Sequence, residues 1–210
     1  AAADRLSCYN CRFTGWQDTI FNGDPMTCNM KKLMLPDFFQ ASEVPIVHKF
    51  YRNYFKDCYV CGDVDYIFGP NTAFFDHCEI HSIARVSEGK AYITAASTPA
   101  GQEFGLVFSH CRITGEEPDS VYLGRPWRDC AKTAFICCEL GDHICPEGWQ
   151  NWGKVRAEVL SDYIEYGNFG PGADCSGRSP LSRCLVNPEV ETYFSKENVL
   201  VGEDGWIPAE

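Results

Sequence analysis

Three islands in the chain combine residue types that a strand holds only at a cost. Cys61-Gly62-Asp63-Val64-Asp65-Tyr66-Ile67-Phe68-Gly69 sets a carboxylate, Asp65, within an otherwise apolar run that ends in glycine. Gly15-Trp16-Gln17-Asp18-Thr19 sets an amide beside a second acid. Tyr122-Leu123-Gly124-Arg125-Pro126-Trp127 sets an arginine close to a tryptophan. A charge buried without partners is costly, so Asp65 is either a paired structural acid or a reactive one. Two carboxylates with pKa values pushed apart can divide the roles of nucleophile and general acid/base. An amide can donate to a developing oxyanion, and a guanidinium can hold one carboxylate ionised and oriented. An Arg–Asp pair that only bridges neighbouring segments accounts for the same residues without chemistry. The elements that gather the islands decide between these readings.

A repeat supplies such elements. Tyr9-Asn10-Cys11-Arg12-Phe13, Phe55-Lys56-Asp57-Cys58-Tyr59-Val60, Phe75-Asp76-His77-Cys78-Glu79-Ile80, Phe108-Ser109-His110-Cys111-Arg112-Ile113 and Phe135-Ile136-Cys137-Cys138-Glu139-Leu140 share one Cys-centred pattern. Each alternates apolar and polar residues, as half-buried strands do. Units of about 20 to 30 residues with short strands predict a solenoid, and no unit has the 3.6-residue period of a helical one. The expected fold is all-β, a parallel β-helix with cysteines and aromatics stacked in ladders inside and insertions leaving at the turns. Such stacking can bring the three islands onto one face. Residues 23–47, with Pro25, Pro36 and Pro45, break the repeat and are expected to be an inserted loop. After Trp152 the repeat fades. The tail, about residues 153–210, is expected to be loop-rich, with a loop over 174–183 and a short helix or turn over 195–200.

The bulk properties narrow the function. A chain of 210 residues fits one domain. The net charge of −11, from 18 basic and 29 acidic residues, offers no basic stripe for phosphates and argues against nucleic acid and anionic membranes. No apolar run reaches the length of a membrane helix, and the first residues lack a charged region followed by an apolar one. The 13 cysteines are many and odd in number, unlike a small disulfide-stapled domain. Cys8-x-x-Cys11 and Cys58-x-x-Cys61 resemble zinc half-sites, but an offset of three in a strand sends side chains to opposite faces. Most of these cysteines read as small buried hydrophobes. The five histidines show no metal-like spacing, and no metal site is expected.

Taken in order, the motifs resemble those of the pectin methylesterases, carbohydrate esterases with a right-handed parallel β-helix. Gln17-Asp18-Thr19 with its lead-in, Gly62-x-Val64-Asp65-Tyr66-Ile67-Phe68-Gly69 and Leu123-Gly124-Arg125-Pro126-Trp127 correspond to three family motifs, and Ile93-Thr94-Ala95 and Gly148-Trp149 are weaker matches. The resemblance implies hydrolysis of the methyl esters of homogalacturonan without metal or organic cofactor. It implies Asp65 as nucleophile, Asp18 as general acid/base, Gln17 as oxyanion-hole donor and Arg125 as the partner that ionises Asp65. Phe68 and Trp127 match substrate-contacting positions. Phe21, Trp152 and, through its backbone, Val64 are further candidates for sugar contact.

Two earlier family motifs, Gly-x-Tyr-x-Glu and a Gln-Ala-Val-Ala-Leu segment with a second glutamine, have no counterpart here. Ala1–Tyr9 resemble the residues that follow the second of these, so the chain is expected to enter the fold part-way. The runner-up reading is therefore an inactive β-helix that only binds pectin-like polysaccharide. A β-helical polysaccharide lyase comes next, lacking here the clustered acids that hold calcium, and a zinc-bound interaction module last. The resemblance implies a secreted monomer. The odd cysteine count fits a reducing compartment better and keeps a cytoplasmic location as the alternative.

Overall fold

The cysteine-centred units are the corners of a coil. The computed structural model describes residues 3–23 and 51–209; the expected insertion over 23–47 lies, beyond Gly23, outside them. The first coil comprises β1 (Leu6–Tyr9), β2 (Arg12–Thr14) and β3 (Ile20–Phe21). The second comprises β4 (Arg52–Lys56), β5 (Tyr59–Gly62) and β6 (Val64–Gly69), and the third β7 (Thr72–Asp76), β8 (Glu79–Ser82) and β9 (Ala91–Ala96). The fourth holds β10 (Leu106–Ser109), β11 (Arg112–Gly115) and β12 (Val121–Gly124), and the fifth β13 (Lys132–Ile136) and β14 (Glu139–Leu140). Equivalent strands pair in parallel from coil to coil, giving sheets of seven, five and four strands around a shared interior. This is the parallel β-helix expected from the repeat.

The corner between the first two sheets explains the repeated unit. Asn10, Asp57, His77, His110 and Cys137 all adopt left-handed backbone, with φ between 51° and 54°. Asn, Asp and His tolerate that region better than most residues. The next residue is a cysteine each time: Cys11, Cys58, Cys78, Cys111 and Cys138. Each thiol donates back across the corner to the carbonyl two residues earlier, as Cys58 Sγ does to Lys56 O at 3.3 Å and Cys138 Sγ to Ile136 O at 3.4 Å. A small side chain with a weak donor fits there. Cys11 and Cys58 thus sit at corners, not in strands as expected for the two Cys-x-x-Cys pairs.

Three residues before each of the last four corner cysteines stands a phenylalanine. Phe55, Phe75, Phe108 and Phe135 stack ring on ring at 4.6, 4.7 and 4.5 Å. Burying each ring stabilises by about 1.5–3 kcal/mol, and each stacked pair adds about 0.5–1.5 kcal/mol. The column sets the rung spacing, and with it the spacing of the islands.

The tail corrects the sequence reading. The coil continues past Trp152 through β15 (Asp162–Tyr166) and β16 (Ser182–Leu185), which extend the seven-stranded sheet. So part of the expected loop over 174–183 is strand. The repeat fades because its column residues change: Glu165 pairs with Phe135 in register, and Asn168 Oδ1 accepts from the Cys138 N–H at 2.9 Å. The short helix α1 (Ala157–Leu160) precedes β15, and α2 (Glu189–Tyr193) and α3 (Lys196–Leu200) follow β16. The last matches the helix expected over 195–200 and is capped by Ser195, whose hydroxyl accepts from Asn198 N. Phe194, Val199 and Leu200 bury against the outer face of the long sheet, on Tyr54, Phe74, Val107 and Ile164. Among the described residues, no helix is long and apolar enough to cross a membrane.

Candidate active site

Asp65 owes its position to a fault in the strand. Val64 pairs with Tyr92 and Ile67 with Thr94, so β6 carries one residue more than β9 between these pairs. Asp65 takes up the bulge with φ 50°. A bulge of this kind breaks alternation and re-aims a side chain. Tyr66 and Ile67, consecutive residues, therefore both join the interior, while Asp65 and Phe68 stay out of it. Asp tolerates this left-handed backbone, as Asp57 does at its corner. Gly62 is required here, because a Cβ would lie 2.3 Å from Tyr66 Cβ and 2.5 Å from Trp16 O.

Arg125 reaches Asp65 from two coils away. Its Nε donates to Asp65 Oδ1 at 2.8 Å and its NH2 nitrogen to Oδ2 at 2.7 Å, a two-pronged pair with 16% and 8% of the side chains exposed. The guanidinium lies 3.8 Å from the ring centres of both Tyr92 and Trp152, held between the two rings. Gly124 lets this strand end close on its neighbour: a Cβ there would lie 2.0 Å from Thr94 Oγ1. The Arg125 and Trp127 N–H groups then donate to Thr94 O and Ala96 O, both at 3.0 Å. Burial pushes the Asp65 carboxyl above its ordinary value; the hydrogen bonds and charge of Arg125, then Lys154 and Arg85, pull the other way.

Asp18 sits at the open rim beside them. Its N–H donates to Val64 O at 3.1 Å, and Asp63 N donates back to Trp16 O at 3.1 Å, so the first and second islands are stitched together. It too has left-handed backbone, φ 59°. Partial burial raises its pKa, the negative Asp65 raises it further, and Arg125 opposes both. Among the described residues no hydrogen-bond donor reaches its carboxylate. Gln17 is exposed at the same rim. The Val64 backbone, a candidate for sugar contact, is engaged on both sides: its N–H donates to Asp63 Oδ1 at 2.7 Å and its carbonyl holds Asp18.

Next to the acids lies an aromatic floor. The Phe21 and Phe68 rings are 4.9 Å apart, and Trp127 meets Phe68 edge-on at 5.7 Å and Phe21 at 6.5 Å. Arg128 caps Trp127 at 4.7 Å. A groove runs on from Trp127 along Pro70, Ser97, Arg128, Lys154 and Arg156. The structure thus gathers Gln17, Asp18, Asp65 and Arg125, and sets Phe21, Phe68 and Trp127 together. Trp152 is half-buried with Arg125 on its ring. Sequence reasoning missed Tyr92 and Lys154. Tyr92 directly precedes the weakly matching Ile93-Thr94-Ala95, and Lys154, whose Nζ donates to Pro126 O at 2.6 Å, carries no signal of its own.

The chain resembles known proteins in sequence and fold. The pectinesterase family model matches residues 40–203. The chain belongs to the pectinesterase family. Pectinesterase 31 of Arabidopsis thaliana is 37% identical over 189 residues, covering 89% of this chain and 50% of the relative. Probable pectinesterase A of Aspergillus fumigatus is 36% identical over 190 residues, covering 87% and 48%. Among solved structures, a pectin methylesterase from carrot superposes with a TM-score of 0.75 at 25% identity, over 96% of this chain and 58% of its own. The chain spans about half the length of the curated relatives it matches. The family's β-helix is right-handed, as the motifs implied.

Proposed function

We propose that the protein hydrolyses the methyl esters of homogalacturonan, releasing methanol and leaving the free acid. The observation that carries this reading is the two-pronged Asp65–Arg125 pair on a bulged, left-handed residue, with Asp18 at its rim. Arg125 fixes Asp65 directly, whereas Asp18 meets Arg125 only at a distance and Asp65 as a like charge. With Asp65 ionised, the like charge beside it favours the protonated form of Asp18. Asp65 attacks the ester carbonyl carbon, and the Gln17 amide donates to the oxygen that becomes negative. Asp18 gives its proton to the departing methoxy group. It then takes one from the water that cleaves the acyl–Asp65 bond and restores both carboxyl groups.

The surroundings fit an acidic sugar chain. Phe21, Phe68 and Trp127 offer apolar surface to sugar rings, and Arg128 and Lys154 give the adjoining groove positive charge for uronate groups, Arg156 being paired there with Asp129. A pectin methylesterase 26% identical to this chain has been solved in complex with a hexasaccharide. An extracellular setting accompanies this reading, and the Cys175–Cys184 disulfide favours an oxidising compartment over the reducing one suggested by the cysteine count.

The test is methanol release from methylated pectin by the wild type and by Asp65→Asn. Release by the wild type and a loss of at least about 10³-fold in the variant are expected. A well-folded wild type that binds the polysaccharide without releasing methanol would favour the binding-only reading. Unsaturated products that depend on added calcium would favour a lyase.

A further inference from the structure

The corner residues form a column on the outside of the coil, one per rung. His77 and His110 stack at 5.2 Å with their planes 7° apart, and Cys137 holds the same corner on the next rung. The matched φ of these residues fixes where each side chain leaves the backbone. Opposite the column stands α2, which brings Glu191. Its position is set by other contacts: Tyr193 Oη donates to Glu103 Oε1 at 3.1 Å, the Tyr193 ring lies 5.1 Å from Phe104, and Phe194 is buried.

We propose that His110, Cys137 and Glu191 bind a divalent metal of the zinc class and clip α2 to the corner column. One ligand atom from each, the imidazole nitrogen, the sulfur and a carboxylate oxygen, lies within 4.8 Å of the other two. His110 Nε2 and Glu191 Oε1 are 3.8 Å apart. Ligands at about 2.0–2.3 Å from a tetrahedral ion stand at comparable separations. His110 Nδ1 lies 2.9 Å from Ser109 Oγ; with Nδ1–H donating there, the Nε2 lone pair is free for a metal, the usual arrangement for a ligating histidine.

An ion pair between His110 and Glu191 alone would leave the sulfur unexplained. A metal would use the sulfur as thiolate, its proton passing to solvent. On the next rung Gly167 leaves the sulfur uncovered: a Cβ there would stand 3.0 Å from it. The N, S and O donors suit zinc or cobalt better than calcium or magnesium, and a water completes the fourth position. The site is separate from the esterase reading and stands or falls without it.

The test uses the full 210-residue chain, stripped with chelator and titrated with Co²⁺ and Zn²⁺. One Co²⁺ per chain, with a thiolate-to-cobalt charge-transfer band and tetrahedral d–d bands, is expected, and Zn²⁺ should displace it. At about 100-fold excess over Kd the metal should raise Tm by about 5–10 °C. Cys137→Ser should abolish the charge-transfer band. Glu191→Gln, a surface change that leaves the fold alone, should weaken binding by about 10-fold or more. Absence of band and Tm shift in the wild type would overturn the proposal. So would a band that survives Cys137→Ser, which would assign the metal to other thiols, or unchanged affinity in Glu191→Gln.

Discussion

Two buried arginine–carboxylate pairs sit on neighbouring regions of the coil, and they are built to opposite ends. Arg178 grips Glu165 as Arg125 grips Asp65, at 2.9 and 3.0 Å. Glu165, however, stands on a regular strand, at the Phe position of the aromatic column, and also accepts from Trp149 Nε1 at 2.9 Å. Arg178 spends its remaining donors on Gly172 O and Pro146 O, and only 4% and 2% of the two side chains are exposed. Asp65 has Arg125 alone for hydrogen bonds among the described residues, a bulged left-handed backbone, and a second acid at its rim. A saturated pair closes the end of a hydrophobic column. A pair with lone pairs to spare, beside an open groove, is suited to react. The chemistry of the side chains is the same; the surroundings assign the role.

The sharpest way to break this comparison is to neutralise each acid in turn. Asp65→Asn should cost at least about 10³-fold in methanol release while changing stability by about 1 kcal/mol or less, a few degrees in Tm. Glu165→Gln should do the reverse. Removing one partner of a buried pair destabilises by about 3–5 kcal/mol, visible as a lowered urea midpoint, whereas kcat per folded molecule stays unchanged. If the two variants behaved alike, saturation would not be what separates the pairs.

Smaller effects sharpen the same contrast. Gln17→Ala should lower kcat by about 10²–10³ with little change in KM, if its amide acts on the transition state as proposed. Trp152→Leu should lower kcat by about three- to ten-fold by uncovering Arg125, with partial rescue in Trp152→Phe. A rise in KM at constant kcat would instead make Trp152 a platform for sugar.

The smallest change concerns pH. The Asp18 pKa is raised in the fold, so the charged form is the disfavoured one, and its cost appears as pH rises through the raised value. Asp18→Asn should therefore be slightly more stable than the wild type at neutral pH, by about 1 kcal/mol or less because the group is solvent-screened. The difference should vanish in acid below the ordinary Asp value. The same variant should lose activity, which separates stability from function at one residue.

The coil was legible because its units repeat their chemistry: a phenylalanine and, three residues on, a cysteine, at Cys58, Cys78, Cys111 and Cys138. The later coils were not, because Glu165 and Asn168 occupy the column positions of Phe and Cys, and their satisfaction by Arg178 and by a backbone N–H is invisible in sequence. The four polar residues of the candidate site were legible through their motifs. The bulge at Asp65 was not, since one extra residue in a six-residue strand leaves no mark until its neighbour is known. The Tyr92–Arg125–Trp152 sandwich was hidden for a related reason: it joins two coils and a loop whose contact depends on register. The juxtaposition of His110, Cys137 and Glu191 was hidden as well, because a solenoid turns whole coils of sequence into a single step of space.

The pairing of Ile20 with Ile67 and the bond from Asp18 N to Val64 O carry one more consequence, for how such a protein can change over evolutionary time. The distance between the two acids is set by one step of the stack and not by the length of chain that separates them. Segments that leave the coil between rungs can therefore be lengthened, shortened or exchanged without retuning the reacting groups. Adding or losing a single residue within β6 or β9 would shift the bulge and misalign Asp65. Variation in this architecture is tolerated where the chain departs from the stack and penalised where it lies within it.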